Sequence, residues 1–99
     1  MIMYEKEFEE KLFFLYFRAL ACYGIDKQKW VLVEECGELL DAIAKTERNR
    51  SSIMDVITEL ADVSIMVEQM AYLYGWDTFK EEKTRKLKRL EERLLKSSV

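Results

Sequence analysis

The hydrophobic runs of this chain are long, and they pause at Gly24 and Gly75, which read as helix stops. Asp26 follows the first pause and is placed to cap a helix start. Ser52-Ile53-Met54-Asp55 and Thr78-Phe79-Lys80-Glu81 resemble capping boxes, the first with a shorter acid. Between the central runs the polar stretch Thr46 to Ser51 reads as a loop. The pattern therefore predicts four helices, at about 4–23, 26–46, 52–74 and 78–96. On the first, Phe8, Leu12, Leu15, Ala19 and Cys22 form one stripe, while Phe13, Phe14, Tyr16 and Phe17 make it apolar almost all round. A helix apolar on every side needs cover on every side, which predicts an oligomer.

Composition narrows the class. Ninety-nine residues make one domain, spanning 1–99, with 12% aromatic residues to build a core. There is no proline and there are three glycines, which argues against a turn-rich β-sandwich or barrel. The glycines stand singly, so no phosphate-cradling glycine loop exists. The absence of histidine excludes Ser-His-Asp, Cys-His and histidine–zinc chemistry. Cys22 and Cys36 are too few for a disulfide framework and are expected to be buried free thiols. The apolar stretch from Leu12 to Tyr23 is too short to span a bilayer and contains Arg18, and no basic leader precedes it. A soluble cytoplasmic protein without a membrane partner is expected.

Charge then changes the picture. The net charge is only −3, but its distribution is uneven. Residues 31–74 hold nine acids and three bases, and all three bases lie in or beside the predicted loop; residues 78–99 hold eight bases and four acids. Surface helices ordinarily interleave Glu with Lys at i,i+4. Here Glu34/Glu38 and Asp55/Glu59 are like-charge i,i+4 pairs, and Glu59 and Asp62 sit within an apolar run. Carboxylates in such surroundings need a counter-charge.

Glu35 and Glu38 are spaced i,i+3, and so are Glu59 and Asp62. Each pair projects from one side of its helix. If helices 2 and 3 pack antiparallel, four carboxylates converge, which a divalent cation would make tolerable. Oxygen-only ligands favour Mg²⁺, or Mn²⁺, over Zn²⁺. A solvated acidic face is the alternative reading of the same residues. Gly37, inside helix 2, is compatible with close approach of a neighbouring helix or ligand, or with plain packing. On helix 4, Lys83, Lys86, Arg89 and Arg93 fall on roughly one face. An acidic metal cage with a basic helix describes a polyphosphate site. The alternative is a solvated amphipathic helix knitted by pairs such as Glu82/Lys86.

Glu34-Glu35-Cys36-Gly37-Glu38, followed after 20 residues by Glu59-Leu60-Ala61-Asp62, resembles the E-E-x-x-E … E-x-x-D signature of the MazG-like all-α nucleoside triphosphate pyrophosphohydrolases. Lys86-Leu87-Lys88-Arg89-Leu90 is similar to the basic segment of the short, phage-like members, and the likeness covers about residues 24–93. It implies a four-helix bundle-like fold, assembly as a homodimer or homotetramer, and hydrolysis between the α- and β-phosphates to monophosphate and pyrophosphate. It also implies Mg²⁺ ligation by Glu35, Glu38, Glu59 and Asp62. In this scheme Glu34 is the candidate general base, and Lys83, Lys86 and Arg89 hold the phosphates. Trp30 or Tyr23 stacks on the base; the alternative is that both are core aromatics. Two other classes stay open: a non-catalytic helical interaction module, and a nucleic-acid binder using helix 4, which the acidic middle argues against.

Overall fold

The computed structural model describes residues 6–97, and its elements are four helices: α1 (Lys6–Tyr23), α2 (Ile25–Glu47), α3 (Ile53–Tyr74) and α4 (Trp76–Ser97). The all-α class stands as read from the pattern. The expected start of helix 1 at residue 4 lies outside the described residues.

Two single-residue glycine turns set the topology. Gly24 has φ 93° and Gly75 φ 143°, a region that L side chains rarely enter. Each glycine N–H closes the helix before it, bonding the Leu20 carbonyl at 3.0 Å and the Ala71 carbonyl at 2.9 Å. Each glycine carbonyl accepts the first bond of the next helix, from Gln28 at 3.0 Å and Phe79 at 2.9 Å. Two expectations are corrected by this. Asp26 lies in the first turn of α2, with Gly24 in the cap position. Thr78 caps nothing, because α4 has already begun at Trp76. The Ser52 box forms as expected: Asp55 N–H donates to Ser52 Oγ, and Ser52 N–H to Asp55 Oδ2, both at 3.2 Å.

The principal packing unit is the α2–α3 pair, joined by the short loop at residues 48–52. Gln69 Nε2 donates to Gln28 Oε1 at 2.5 Å in the interior, which pairs the start of α2 with the end of α3 and makes the hairpin antiparallel. Ala42, Met66, Met70 and Ala71 are buried around it. Against this hairpin α1 buries Tyr16 and Leu20. Tyr16 donates to Glu68 Oε1 at 2.6 Å, and Phe13 meets Tyr72 and Trp76 with ring centroids 5.3 and 5.1 Å apart. The inward stripe of α1 thus runs through Tyr16 and Leu20. Of the stripe expected from spacing, Phe8, Leu15 and Cys22 are exposed.

The fourth helix packs on α3 and, through Trp76, on Phe13 of α1, and every residue from Lys80 to Ser97 is exposed. The radius of gyration, 16.5 Å, exceeds the ~13 Å of a compact chain this long. No described helix is long and apolar enough to cross a membrane. Both cysteines are free and exposed, not buried as expected.

Candidate metal centre

Antiparallel pairing sets the middle of α2 beside the first half of α3. One carboxylate oxygen from each of Glu35, Glu38 and Glu59 lies within 4.8 Å of the others. Asp62, one turn beyond Glu59, borders the trio without belonging to it. It is close enough to push the carboxyls of both Glu35 and Glu59 upward. Glu35 Oε2 and Glu59 Oε2 are both shielded from water and accept no hydrogen bond. A shielded carboxylate oxygen without a donor is costly.

Titration reflects the same crowding. Glu35 is raised above its ordinary 4.5, first by desolvation and then by Glu38, Asp62, Glu59 and Glu34. Glu59 is raised for the same reasons, by desolvation and then by Glu38, Asp62 and Asp55. Among the described residues no lysine or arginine is ion-paired to any of the four. The ion pairs are Lys45–Asp41, at 2.9 Å, and Arg85–Glu82. Several acids without a base, two shielded oxygens without donors and an all-oxygen donor set fit a hard divalent cation. A fully solvated acidic face would leave those oxygens wet.

A recess of about 290 Å³ opens beside the trio towards the α2–α3 loop. Glu38 and Glu59 line it together with Asp41, Lys45, Ser51 and Thr58. Sequence reasoning missed Lys45. It follows Glu38 by seven residues, two helical turns along the same face, and that spacing was the available signal.

The other expected site residues are more scattered. Glu34 is exposed on α2, near enough to Glu35 to raise it. Lys83, Lys86 and Arg89 stand exposed on the projecting α4, and none of them lines the acidic recess. Lys83 instead lines a recess of about 520 Å³ with Glu68, Trp76 and Phe79. The structure does not bring these three cations to the acids within one chain. Trp30 and Tyr23 are 68% and 61% exposed, so neither is a core aromatic, and neither lines the acidic recess. Gly37 meets no close neighbour: a Cβ added there would find nothing within 4 Å.

Residues 25–93 match the family model described as MazG nucleotide pyrophosphohydrolase domain. Comparison with curated proteins and with solved structures returns no significant match.

Proposed function

The chain belongs to the MazG nucleotide pyrophosphohydrolase family, and on that premise we propose that it is a Mg²⁺-dependent enzyme splitting nucleoside triphosphates between the α- and β-phosphates. The products are nucleoside monophosphate and pyrophosphate. The observation that carries this reading is the acidic trio, with carboxylate oxygens within 4.8 Å and two of them shielded and unpartnered. Such a cluster is suited to an ion that itself binds phosphate oxygens.

Glu35, Glu38 and Glu59 would hold the ion, with Asp62 completing the set. When bound, Mg²⁺ offsets the charge of the triphosphate and makes a coordinated water more acidic. Glu34, exposed and adjacent to the cluster, is the proposed acceptor of the water proton. Lys45 is the cation nearest the recess and is suited to a phosphate oxygen once it leaves Asp41. Lys83, Lys86 and Arg89 serve the leaving pyrophosphate in this reading only from the α4 of another copy. Trp30 and Tyr23, exposed as they are, fit base stacking on the same condition. The proposal therefore includes assembly as a homodimer or homotetramer, in the cytoplasm, with no nucleic-acid partner.

The deciding experiment incubates the protein with a panel of nucleoside triphosphates and Mg²⁺, and resolves monophosphate plus pyrophosphate from diphosphate plus phosphate. Mg²⁺-dependent pyrophosphate release from at least one triphosphate is expected. Glu38→Ala and Asp62→Ala should each lower it at least 100-fold. Release of orthophosphate, or unchanged turnover in both variants, would overturn the assignment. Loss of all turnover together with no thermal stabilisation by Mg²⁺ or Mn²⁺ would point to a helical interaction module.

A further inference from the structure

The inward stripe of α1 runs through Glu9, Phe13, Tyr16 and Leu20, at steps of four, three and four residues. A carboxylate on an inward stripe is costly unless something pairs with it. Glu9 is half-buried, and among the described residues no base is ion-paired to it. It lines the recess of about 520 Å³ that lies between the start of α1 and the root of α4. The inner part of this recess carries Glu9, Glu68, Trp76 and Phe79, all half-buried, and its mouth carries Lys80 and Lys83, both exposed. Tyr16 bonds one oxygen of Glu68 and leaves the other. The Trp76 Nε1–H is shielded from water and meets no acceptor. The Trp76 and Phe79 rings, with centroids 5.7 Å apart, make an aromatic wall. Lys80 and Lys83 stand one turn apart on α4 and belong to neither ion pair. None of these six residues lines the acidic recess.

We propose that this recess binds a nucleoside monophosphate whose base carries an exocyclic amino group, at a site separate from the acidic trio. Each group in the recess has a counterpart on such a ligand. The flat base packs on the aromatic wall. Its amino group donates to Glu9 and Glu68, and a ring nitrogen or carbonyl accepts from Trp76 Nε1–H. The phosphate takes Lys80 and Lys83. The volume is that of an ordinary small-molecule site, which spans roughly 300–1,000 Å³.

Other ligands leave part of the recess unanswered. A polyamine suits the two carboxylates, but it meets the two lysines as like charges and gives the Trp76 N–H no acceptor. Inorganic phosphate suits the lysines alone. Uracil has no amino group and turns carbonyl lone pairs towards the carboxylates. Occupancy takes Lys83 away from the pyrophosphate that the proposed function gives it, so the product of that reaction restrains it. This consequence rests on the proposed function, whereas the binding does not.

Trp30→Phe leaves Trp76 as the sole tryptophan, so its fluorescence reports on the recess directly. The full chain with this substitution is titrated, in the presence of EDTA, with adenosine, guanosine, cytidine and uridine monophosphates. Adenosine, inorganic phosphate and spermidine are titrated separately. A saturable change in Trp76 emission is expected with at least one of the amino-bearing monophosphates. Uridine monophosphate, adenosine and phosphate should each bind roughly tenfold or more weakly than that ligand, because each forfeits hydrogen bonds to charged groups. Lys80→Glu should weaken binding by a similar factor. Glu9→Leu should weaken it while raising the melting temperature, since leucine suits the inward stripe and not the ligand. Glu38→Ala should leave binding as it is. No turnover is measured, so the enzyme reading and this one fail separately. An emission that no monophosphate changes overturns the proposal. So does an equal response to phosphate or spermidine, or a response indifferent to both Lys80→Glu and Glu9→Leu. A response that needs Mg²⁺ and is lost in Glu38→Ala overturns it too, by placing the ligand at the acidic recess.

Discussion

At the scale of single residues, the acidic trio has consequences for pH. Glu35 and Glu59 have carboxyls raised above their ordinary 4.5, by desolvation first and by neighbouring acids second. Above pH 4.5 the unfolded chain gives up these protons more readily than the folded one. Stability of the metal-free protein therefore falls as pH rises from 4.5 through the raised folded values. Asp55 behaves oppositely: hydrogen bonds from Ser51 and from the Ser52 backbone lower it from 3.8, so its contribution is present above 3.8 and is lost only as pH falls through the depressed value. The two windows do not overlap. Thermal melts of the metal-free protein should show the melting temperature declining as pH rises above 4.5, through the range in which the raised carboxyls ionise. Mg²⁺ should abolish the decline, and a Glu35→Gln, Glu59→Gln double variant should remove it without metal. A metal-free protein equally stable across this range would show that the trio is not strained.

Among the elements, four helices were legible because their punctuation is local chemistry. Gly24, Gly75 and the Ser52–Asp55 box each act through neighbouring backbone groups, so their residue types announce them. The miscast details were tertiary. Spacing alone does not choose the inward stripe on α1, since nearly all its faces are apolar; the Tyr16–Glu68 bond and the Phe13–Tyr72 contact decide it. The nearness of Glu35, Glu38 and Glu59 was legible because i,i+3 spacing is a local rule and the short loop at residues 48–52 turns α3 back along α2, with Asp62 at the border. The cations of α4 stand apart from the acids within one chain because the direction of α4 follows from the backbone at Gly75, which no hydrophobic pattern encodes. Gly37 is the element-level test. It sits inside α2, at a φ outside the positive range, with open space where a Cβ would go. Gly37→Ala should therefore stabilise the fold by roughly 0.5–1 kcal/mol, raising the melting temperature by several degrees. Ser52→Ala should do the reverse by about 1 kcal/mol, through loss of the α3 cap. A destabilising Gly37→Ala would mean that something outside the chain approaches α2 at this point.

For the whole molecule, the proposed function assigns metal binding to the hairpin and phosphate binding to the projecting helix, and the two can be separated. The acidic trio belongs to α2 and α3, while α4 packs on α3 and on Phe13 of α1 and is exposed from Lys80 onward. Any ion that binds only the folded state stabilises it by linkage, about 2.7 kcal/mol at 100 times its Kd. That increment depends on residues well removed in sequence from α4. A chain ending after Glu82 keeps Trp76 and Phe79, the aromatic residues that pack the root of α4. It should retain the Mg²⁺-dependent rise in melting temperature and lose pyrophosphate release, because Lys83, Lys86 and Arg89 are gone. Full turnover by the shortened chain would reassign phosphate binding to Lys45 and the hairpin itself. Loss of the metal effect with the helices intact would mean that α4 beyond Glu82, exposed along its whole length, shapes the acidic cluster at a distance.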